Sequence, residues 1–375
     1  MPASKLPASS CHYLAIILAG SAQRPVLPWT LGDKVKTATV VLLLAASANL
    51  ARAAKTLDVY DIDVEGGKSV LIVSPSGESM LYDVGWPGFN GRDADRIVTA
   101  AKAAGVSRID YLVISHYDID HLGDVPLLVS KLPAIHIVDH GPMEAAKPPS
   151  DQYRAYAAVR DKLDHIVVKP GDRIPIKGVD VFVVTAGRQH IEKPLKGAGA
   201  PNRLCAANPP KPELPSDVED NMSIGLLFTF GKFRMLDLAD LESAYDYKLM
   251  CPNNPIGSVD VYQVSIHGQD KGVAPVLAQA LDARVALMGN GPRKGGAPLT
   301  WETLRGAAGL EDIWQVHYSL AGGPEHNPPA DFIANLEGAD EAHWLKLSAQ
   351  SSGTFTVTNS RNGFSKTYQR KQRRP

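Results

Sequence analysis

Within six residues the chain places His116, Tyr117, Asp118, Ile119, Asp120 and His121. Four potential metal ligands are thus packed directly behind an apolar run, Ile109 to Ser115, which reads as a buried strand. A helical stretch near Val125–Lys131 follows. Strand, dense polar loop and helix in that order confine the chain to layered α/β folds. In such folds ligand and active sites gather at the C-terminal ends of strands. Imidazole nitrogens and carboxylate oxygens suit Zn²⁺, Mn²⁺ or Fe. The bland alternative is a polar loop carrying two surface histidines.

The surrounding pattern is rich in short strands. Leu57–Asp63 alternates apolar and polar residues and pairs through Gly66-Gly67 with Ser69–Val73 as a hairpin. Met80–Val84 is a third strand. A loop at 85–92 carries Trp86 and Phe89, and a helix runs from about Asp93 to Ala104, with Asp93 as N-cap and Gly105 just past its end. Residues 134–139 and 165–185 read as strands, with a helix near 151–163 between them. Residues 186–220 form a long Pro/Gly-rich insertion, a length that in a compact domain marks a functional or disordered loop. Ser223–Phe230 and Phe233–Leu238 predict a hairpin around Gly231, helix–strand alternation continues to about 317, and a last hairpin turns at Asn362-Gly363. No repeat of fixed period and no clear linker appear, so residues 54–375 read as one domain.

The N-terminus reads as an address. Thr37 to Ala51 carries no charge, follows Lys34 and Lys36, and ends in Ala51-Arg52-Ala53, the three-part pattern of a secretory signal. The run is shorter than the roughly 20 residues a membrane span needs, so no stable span is expected once it is cleaved. Residues 1–33 make a long, Pro-containing lead-in, which suggests a start near Val35. Removing residues 1–53 turns a formal net charge of −1 into 34 basic and 39 acidic residues, net −5. The expectation is an exported, periplasmic or secreted acidic protein. A polyanionic polymer is a poor partner for it, since such polymers meet Lys and Arg on the binding face; the basic tail from Arg361 to Arg374 does not change this. Cys205 and Cys251 remain, and an oxidising compartment allows them to pair or to stay as two unrelated thiols.

With these residues in view, the chain resembles the metallo-β-lactamase superfamily, a four-layer αββα sandwich. Its H-x-H-x-D-H signature stands at this strand end, with Asp118 in place of the second His. That H-x-D-x-D-H variant is similar to the metallohydrolase domain of DNA-uptake competence proteins and their stand-alone relatives. Other motifs fit in order: Asp61–Gly67 as the opening strand and turn, Tyr82-Asp83-Val84-Gly85, Asn221-Met222-Ser223, Leu236–Asp240 with Ala239 where the family has Gly, and Ile266-His267-Gly268 with the first His lost. The resemblance covers about Leu57 to His317.

The resemblance implies two divalent metal ions, zinc first, with Mn or Fe as alternatives. One takes His116, Asp118 and Asp240; the other takes Asp120, His121, His267 and the shared Asp240. A bridging hydroxide attacks an ester-type bond, with His116 and Asp120 placed at the chemistry. A third ligand of the first metal is not obvious; His190 is the first choice and His140 the second. His317 ends a strand and either points into the site or is a satisfied edge residue. Asp83 reads as support for a metal-bound imidazole. Trp86, Asn290 and Lys294, with Arg293, stand on the substrate side.

Three functions compete. The first is hydrolysis of an ester-type bond, a phosphodiester by the nearest resemblance. The second is a lactone, carboxyl-ester or β-lactam hydrolase. The third is an exported binding protein with a degenerate metal site, motivated by Ala239, Ile266 and the missing ligand.

Overall fold

The computed structural model describes residues 55–143, 149–210, 212, 218–338 and 341–369. The signal-like segment at 37–53 and the start of the chain lie outside these residues.

Six strands come first: β1 (Leu57–Ile62), β2 (Val70–Val73), β3 (Ser79–Tyr82), β4 (Ile109–Val113), β5 (Ala134–Asp139) and β6 (Asp164–Val167). They lie side by side in that order. β1 to β3 are antiparallel, and β3 to β6 run parallel. Parallel neighbours need crossovers. These contain α1 (Arg92–Ala103), α2 (Ile119–Leu122), α3 (Val125–Lys131) and α4 (Asp151–Arg160). The N-cap position of α1 is Gly91, φ 78°, rather than Asp93, which lies inside the first turn. The Asp93 carboxylate instead accepts from the Trp86 amide at 2.8 Å and pins the 85–92 loop.

The chain then builds a second sheet. Its strands are β7 (Arg173–Ile174), β8 (Asp180–Ala186) with the short β9 (Gln189–His190) beside it, β11 (Gly225–Phe230), β12 (Phe233–Asp237), β14 (Val261–Gln263), β15 (Val285–Met288), β16 (Asp312–His317) and β17 (Ile333–Asn335). β10 (Ala200–Pro201) and β13 (Asn253–Asn254) form a separate two-stranded ladder. The crossovers hold α5 (Ser243–Met250), α6 (Pro275–Ala278) and α7 (Pro298–Arg305). Three last strands, β18 (Trp344–Ala349), β19 (Phe355–Asn359) and β20 (Ser365–Tyr368), return to the first sheet, where β18 pairs antiparallel with β1.

Alternation decides the layers. Leu57 and Val59 of β1 join Val181, Phe228 and Trp314 of the second sheet in one buried cluster. Tyr60 and Ile62 point the other way, onto Ile97, Leu122 and Tyr156 of the first sheet's helices. The outer face of the second sheet, with Leu236 and Tyr262, packs on Tyr245, Leu277 and Leu304. Two sheets face to face, each with helices outside, make the expected αββα sandwich. Trp314 Nε1 donates to the Tyr368 hydroxyl at 2.9 Å, joining β16 to β20 across the inner core.

The 186–220 insertion is not an empty loop where it is described. Cys205 and Cys251 are joined by a disulfide, with Cα atoms 5.9 Å apart. Asn202 Nδ2 donates to the Met250 and Val276 carbonyls at 3.1 and 2.9 Å. The segment is therefore bound to the α5 and α6 side of the second sheet. Among the described residues no helix is long and apolar enough to cross a membrane.

Candidate metal centre

The two sheets meet at the C-terminal end of β4. The Ile224 amide, just before β11, donates to the Ser115 carbonyl at 3.0 Å, and the Tyr82 hydroxyl donates to the Ile224 carbonyl. Five segments converge there: the β4–α2 loop, the turn before β11, the end of β12, the turn after β14, and the β1–β2 turn. Gly66 and Gly67 make the last approach possible. A Cβ on Gly67 would sit 2.6 Å from the Asp120 carbonyl, and one on Gly66, at φ +82°, would sit 2.9 Å from Lys294 Cβ.

Asp120, His121, Asp240 and His267 form a closed cage. His121 Nε2 lies 3.4 Å from Asp120 Oδ2, 3.3 Å from Asp240 Oδ2 and 3.3 Å from His267 Nε2. His267 Nε2 lies 3.3 Å from Asp120 Oδ2 and 3.2 Å from Asp240 Oδ2. A tetrahedral ion with bonds of about 2.0–2.1 Å has ligand–ligand edges of about 3.3–3.4 Å. The five measured edges match that figure, so the donor set fits a divalent metal of zinc size.

The far nitrogens of these imidazoles are held from behind. Asp83 Oδ2 sits 2.8 Å from His121 Nδ1 and accepts from the Ser115 hydroxyl at 2.7 Å, while Asp83 Oδ1 accepts from the Ser115 amide at 2.7 Å. Ser115 Oγ also lies 3.0 Å from His116 Nδ1. His267 Nδ1 is 3.2 Å from the Gly289 carbonyl. These contacts turn Nε2 of His121 and His267 toward the cage and Nε2 of His116 toward the group beside it, as metal-binding imidazoles require. His267 and Ile266 both take left-handed backbone, φ 53° and 47°. Such strain in non-glycine residues persists where the surroundings enforce it, most often at functional sites.

A second, wider group adjoins the cage. His116 Nε2 is fully buried and has no hydrogen-bond partner among the described residues. It lies 3.7 Å from Asp220 Oδ1 and 4.0 Å from Asp118 Oδ2. His116, Asp220 and Asp240 each present a donor atom in one group. Asp118 reaches it from the open side, with its side chain 48% exposed.

The electrostatics are those of a site built for cations. Burial, then the neighbouring His121, pushes His116 down, leaving a neutral imidazole with a lone pair. Burial also pushes His121 down, but Asp240, Asp120 and Asp83 outweigh it and hold the imidazole well above its ordinary value. Burial lifts the Asp118 carboxyl, and lifts Asp220 to about 6. Divalent ions bound there would displace the proton that Asp240, Asp120 and Asp83 hold on His121.

The remaining sequence expectations separate. His190 lies on β9 with Nδ1 3.0 Å from the Ile191 carbonyl and joins neither ligand group, so it is not the third ligand. His140 places Nε2 3.3 Å from Glu219 Oε1, which also accepts from the Tyr117 amide at 2.9 Å. It helps hold the turn that carries Asp220. His317 does not face the cage. Its Nε2 lies 2.8 Å from Asp63 Oδ1 and 3.3 Å from Glu65 Oε1, and Arg96 donates to Asp63 Oδ2 at 2.8 Å. Asn290 is buried and spends its amide on the Gly291 and His317 carbonyls at 3.1 and 2.9 Å, so it shapes its loop instead of facing substrate. Lys294 does reach the centre: its ammonium pairs with Asp120 Oδ2 and lies 5.2 Å from the Trp86 ring centroid. Phe89, 63% exposed, stands in solvent.

The sequence expectations leave out Asp220 and place Ser223 only in the Asn221-Met222-Ser223 motif. Ser223 Oγ lies 3.4 Å from His116 Nδ1 and accepts from the Asp240 amide at 3.2 Å. The signal for Asp220 is its place directly before the Asn221-Met222-Ser223 motif.

Residues 62–194 match the model of the family described as the metallo-beta-lactamase superfamily. No curated protein matches the chain by sequence. Among solved structures it is similar to a putative metal-dependent hydrolase from Parabacteroides distasonis, at 16% identity, TM-score 0.40, covering 68% of this chain and 92% of that one. It is also similar to CmlA, a diiron β-hydroxylase from Streptomyces venezuelae, at 15% identity and TM-score 0.38, covering 73% of this chain and 53% of that one. A diphosphatase from the PhnP family shares 13% identity at TM-score 0.34, covering 68% of this chain and 93% of that one. None of these matches singles out the DNA-uptake competence proteins.

Proposed function

We propose that this chain, which carries the metallo-β-lactamase superfamily domain in residues 62–194, is an exported binuclear metallohydrolase that cleaves an ester-type bond, with a small phosphodiester as the favoured substrate. The observation that carries the reading is the Asp120–His121–Asp240–His267 cage, whose edges of 3.2–3.4 Å suit a tetrahedral ion. Divalent ions held by these residues and by the adjoining His116 group would supply hydroxide near neutral pH and would polarise the bond under attack. Asp240 serves both ligand groups. His121 and His267 keep Nε2 aimed inward through Asp83 and the Gly289 carbonyl. Lys294, at the rim beside Trp86, orients an anionic substrate once a cation takes over Asp120, and this favours a phosphodiester over a neutral ester. The net −5 of residues 54–375 favours a small substrate over a nucleic-acid polymer. The Cys205–Cys251 disulfide supports export, because such bonds persist in oxidising compartments.

The test uses purified residues 54–375. Bound metal is measured, and bis-p-nitrophenyl phosphate, a lactone and a chromogenic cephalosporin are assayed side by side with added Zn²⁺ or Mn²⁺. Fewer than one metal per chain and no turnover would turn the reading to a binding protein. Turnover of the lactone or cephalosporin alone would move it to a carboxyl-type bond. Export is checked by sequencing the N-terminus of protein recovered outside the cytoplasm, with a start near residue 54 expected.

A further inference from the structure

We propose that Asp220 is the missing ligand of the metal position at His116, Asp118 and Asp240, the second position beside the cage, and that this position is a hard, oxygen-rich site differing in metal preference from the cage. The inference rests on the two-metal reading above and goes further by assigning the ligand and the ion class.

Three observations place Asp220. First, His116 Nε2 is fully buried, without a partner among the described residues, and aimed at Asp220 Oδ1 at 3.7 Å. A buried imidazole nitrogen left open in this way is costly unless something binds it. Second, the two carboxylate oxygens have different tasks. Lys271 Nζ donates to Asp220 Oδ2 at 2.6 Å, which leaves Oδ1 turned toward His116. Third, the turn carrying Asp220 is tied down on both sides. Glu219 accepts from the Tyr117 amide at 2.9 Å, and Asn221 Nδ2 donates to Glu242 Oε2 at 2.9 Å. The turn is thereby fastened to the His116 loop and to the loop after Asp240.

The two positions differ in chemistry and in size. The cage offers two imidazoles and two carboxylates with edges of 3.2–3.4 Å. The second position offers one imidazole, from His116, with Asp220, the shared Asp240, and Asp118 on the open side at 4.0 Å. Its spacings of 3.7 and 4.0 Å are wider. Carboxylate-rich, roomier sites favour ions that accept more oxygen ligands, such as Mn²⁺, Fe²⁺ or Mg²⁺, whereas imidazole-rich tetrahedral sites favour Zn²⁺. Divalent ions as a class bind nitrogen and oxygen sites in a fixed affinity order, so the difference is one of ratio: the Zn²⁺ to Mn²⁺ affinity ratio is smaller at the Asp220 position than in the cage.

The experiment titrates chelator-stripped protein first with ZnCl₂ and then with MnCl₂, following heat by calorimetry and bound Mn²⁺ by electron paramagnetic resonance. Wild type takes one tight Zn²⁺ and then one Mn²⁺. The Zn²⁺ to Mn²⁺ ratio at the second position is at least about tenfold smaller than at the first. Asp220→Asn, nearly isosteric, keeps the first Zn²⁺ at wild-type affinity, which shows that it is folded, and binds Mn²⁺ at least about tenfold more weakly. Asp220→His raises the ratio at the second position by at least about tenfold. Wild type that binds no metal overturns the two-metal reading itself. Wild type that binds two ions, with Mn²⁺ affinity within twofold in Asp220→Asn, overturns only the assignment of Asp220. Loss of both ions in Asp220→Asn together with an unchanged ratio in Asp220→His also overturns it.

Discussion

Lys68 is buried between the two sheets, and removing its charge should destabilise the protein far more than a surface lysine would. Its ammonium donates to Asp237 Oδ2 at 2.7 Å, with the two side chains 8% and 1% exposed. It is also the cation beside Asp61, a buried carboxyl that burial pushes up to about 6. Lys68→Met removes the charge and keeps most of the length. Breaking one side of a buried ion pair costs about 3–5 kcal/mol, because the other charge is left without compensation. Unfolding entropy of about 2.1 cal/mol/K per residue over the 322 residues from 54 to 375 converts that to a fall in Tm of about 4–7 °C.

The pair also has a positional task. Asp237 Oδ1 accepts from the Ala239 amide at 3.0 Å, and Ala239 holds φ 50° in the turn that presents Asp240. Metal affinity should therefore fall along with stability. The assay is a double-mutant cycle of Lys68→Met, Asp237→Asn and both, by urea unfolding followed by tryptophan fluorescence. Asn keeps an acceptor for Ala239, so the double variant should recover much of the loss, with a coupling of at least about 2 kcal/mol. Additive losses, or a Lys68→Met cost below about 1 kcal/mol, would refute the argument that this pair holds the sheets in register under the metal cage.

Other expectations are direct. Asp83→Ala should weaken metal binding about 10–100-fold by calorimetry, since it frees His121 to turn; unchanged affinity would remove Asp83 from the site. Burial pushes His317 down, but its contacts with Asp63 and Glu65 raise it to about 9, above an unfolded value of about 6.5. Its stabilisation, at most about 3 kcal/mol, is therefore complete below about pH 6.5 and is lost as pH rises through about 9. His317→Gln should flatten stability across that window, and an unaltered pH profile would count against the pair. Converting both Cys205 and Cys251 to Ser opens a loop of 46 residues, a cost of about 4 kcal/mol by loop entropy, read as a lower urea midpoint; equal midpoints would show the bond to be thermodynamically idle. Chelation should lower Tm, because ions bound only by the folded state stabilise it.

The parts legible in the sequence were those whose information is local. Alternation in Leu57–Asp63 and the unbroken apolar run at β4 mark strands without reference to anything distant. His116 to His121 announces ligands because six consecutive residues carry them. β18 shows the limit: Leu345, Leu347 and Ala349 alternate with polar residues, yet nothing local says that β18 closes the sheet against β1. His317 shows the same limit from the other side. It ends a strand as expected, but the acids that claim it stand on the β1–β2 turn, and only the sandwich brings them there.

Asp220 was hidden for a related reason, and it changes how the ligand set is read. A search for the missing donor that holds to the superfamily pattern looks for a histidine, and His190 and His140 were the histidines in reach. The fold supplies a carboxylate instead, from a short 3₁₀ turn, Asp220–Met222, immediately before β11. What makes that turn part of the site is not its own sequence but its anchors: Tyr117 and His140 through Glu219, Glu242 through Asn221, and His116 and Asp240 through Ser223. With Asp118 and Asp220 both carboxylates, two of the nitrogen positions expected around the metal at His116 have become oxygens. The changes reinforce each other. One lost imidazole would leave a weak zinc site, whereas two leave a site of a different class, and the neighbouring His121–His267 cage remains unaltered beside it.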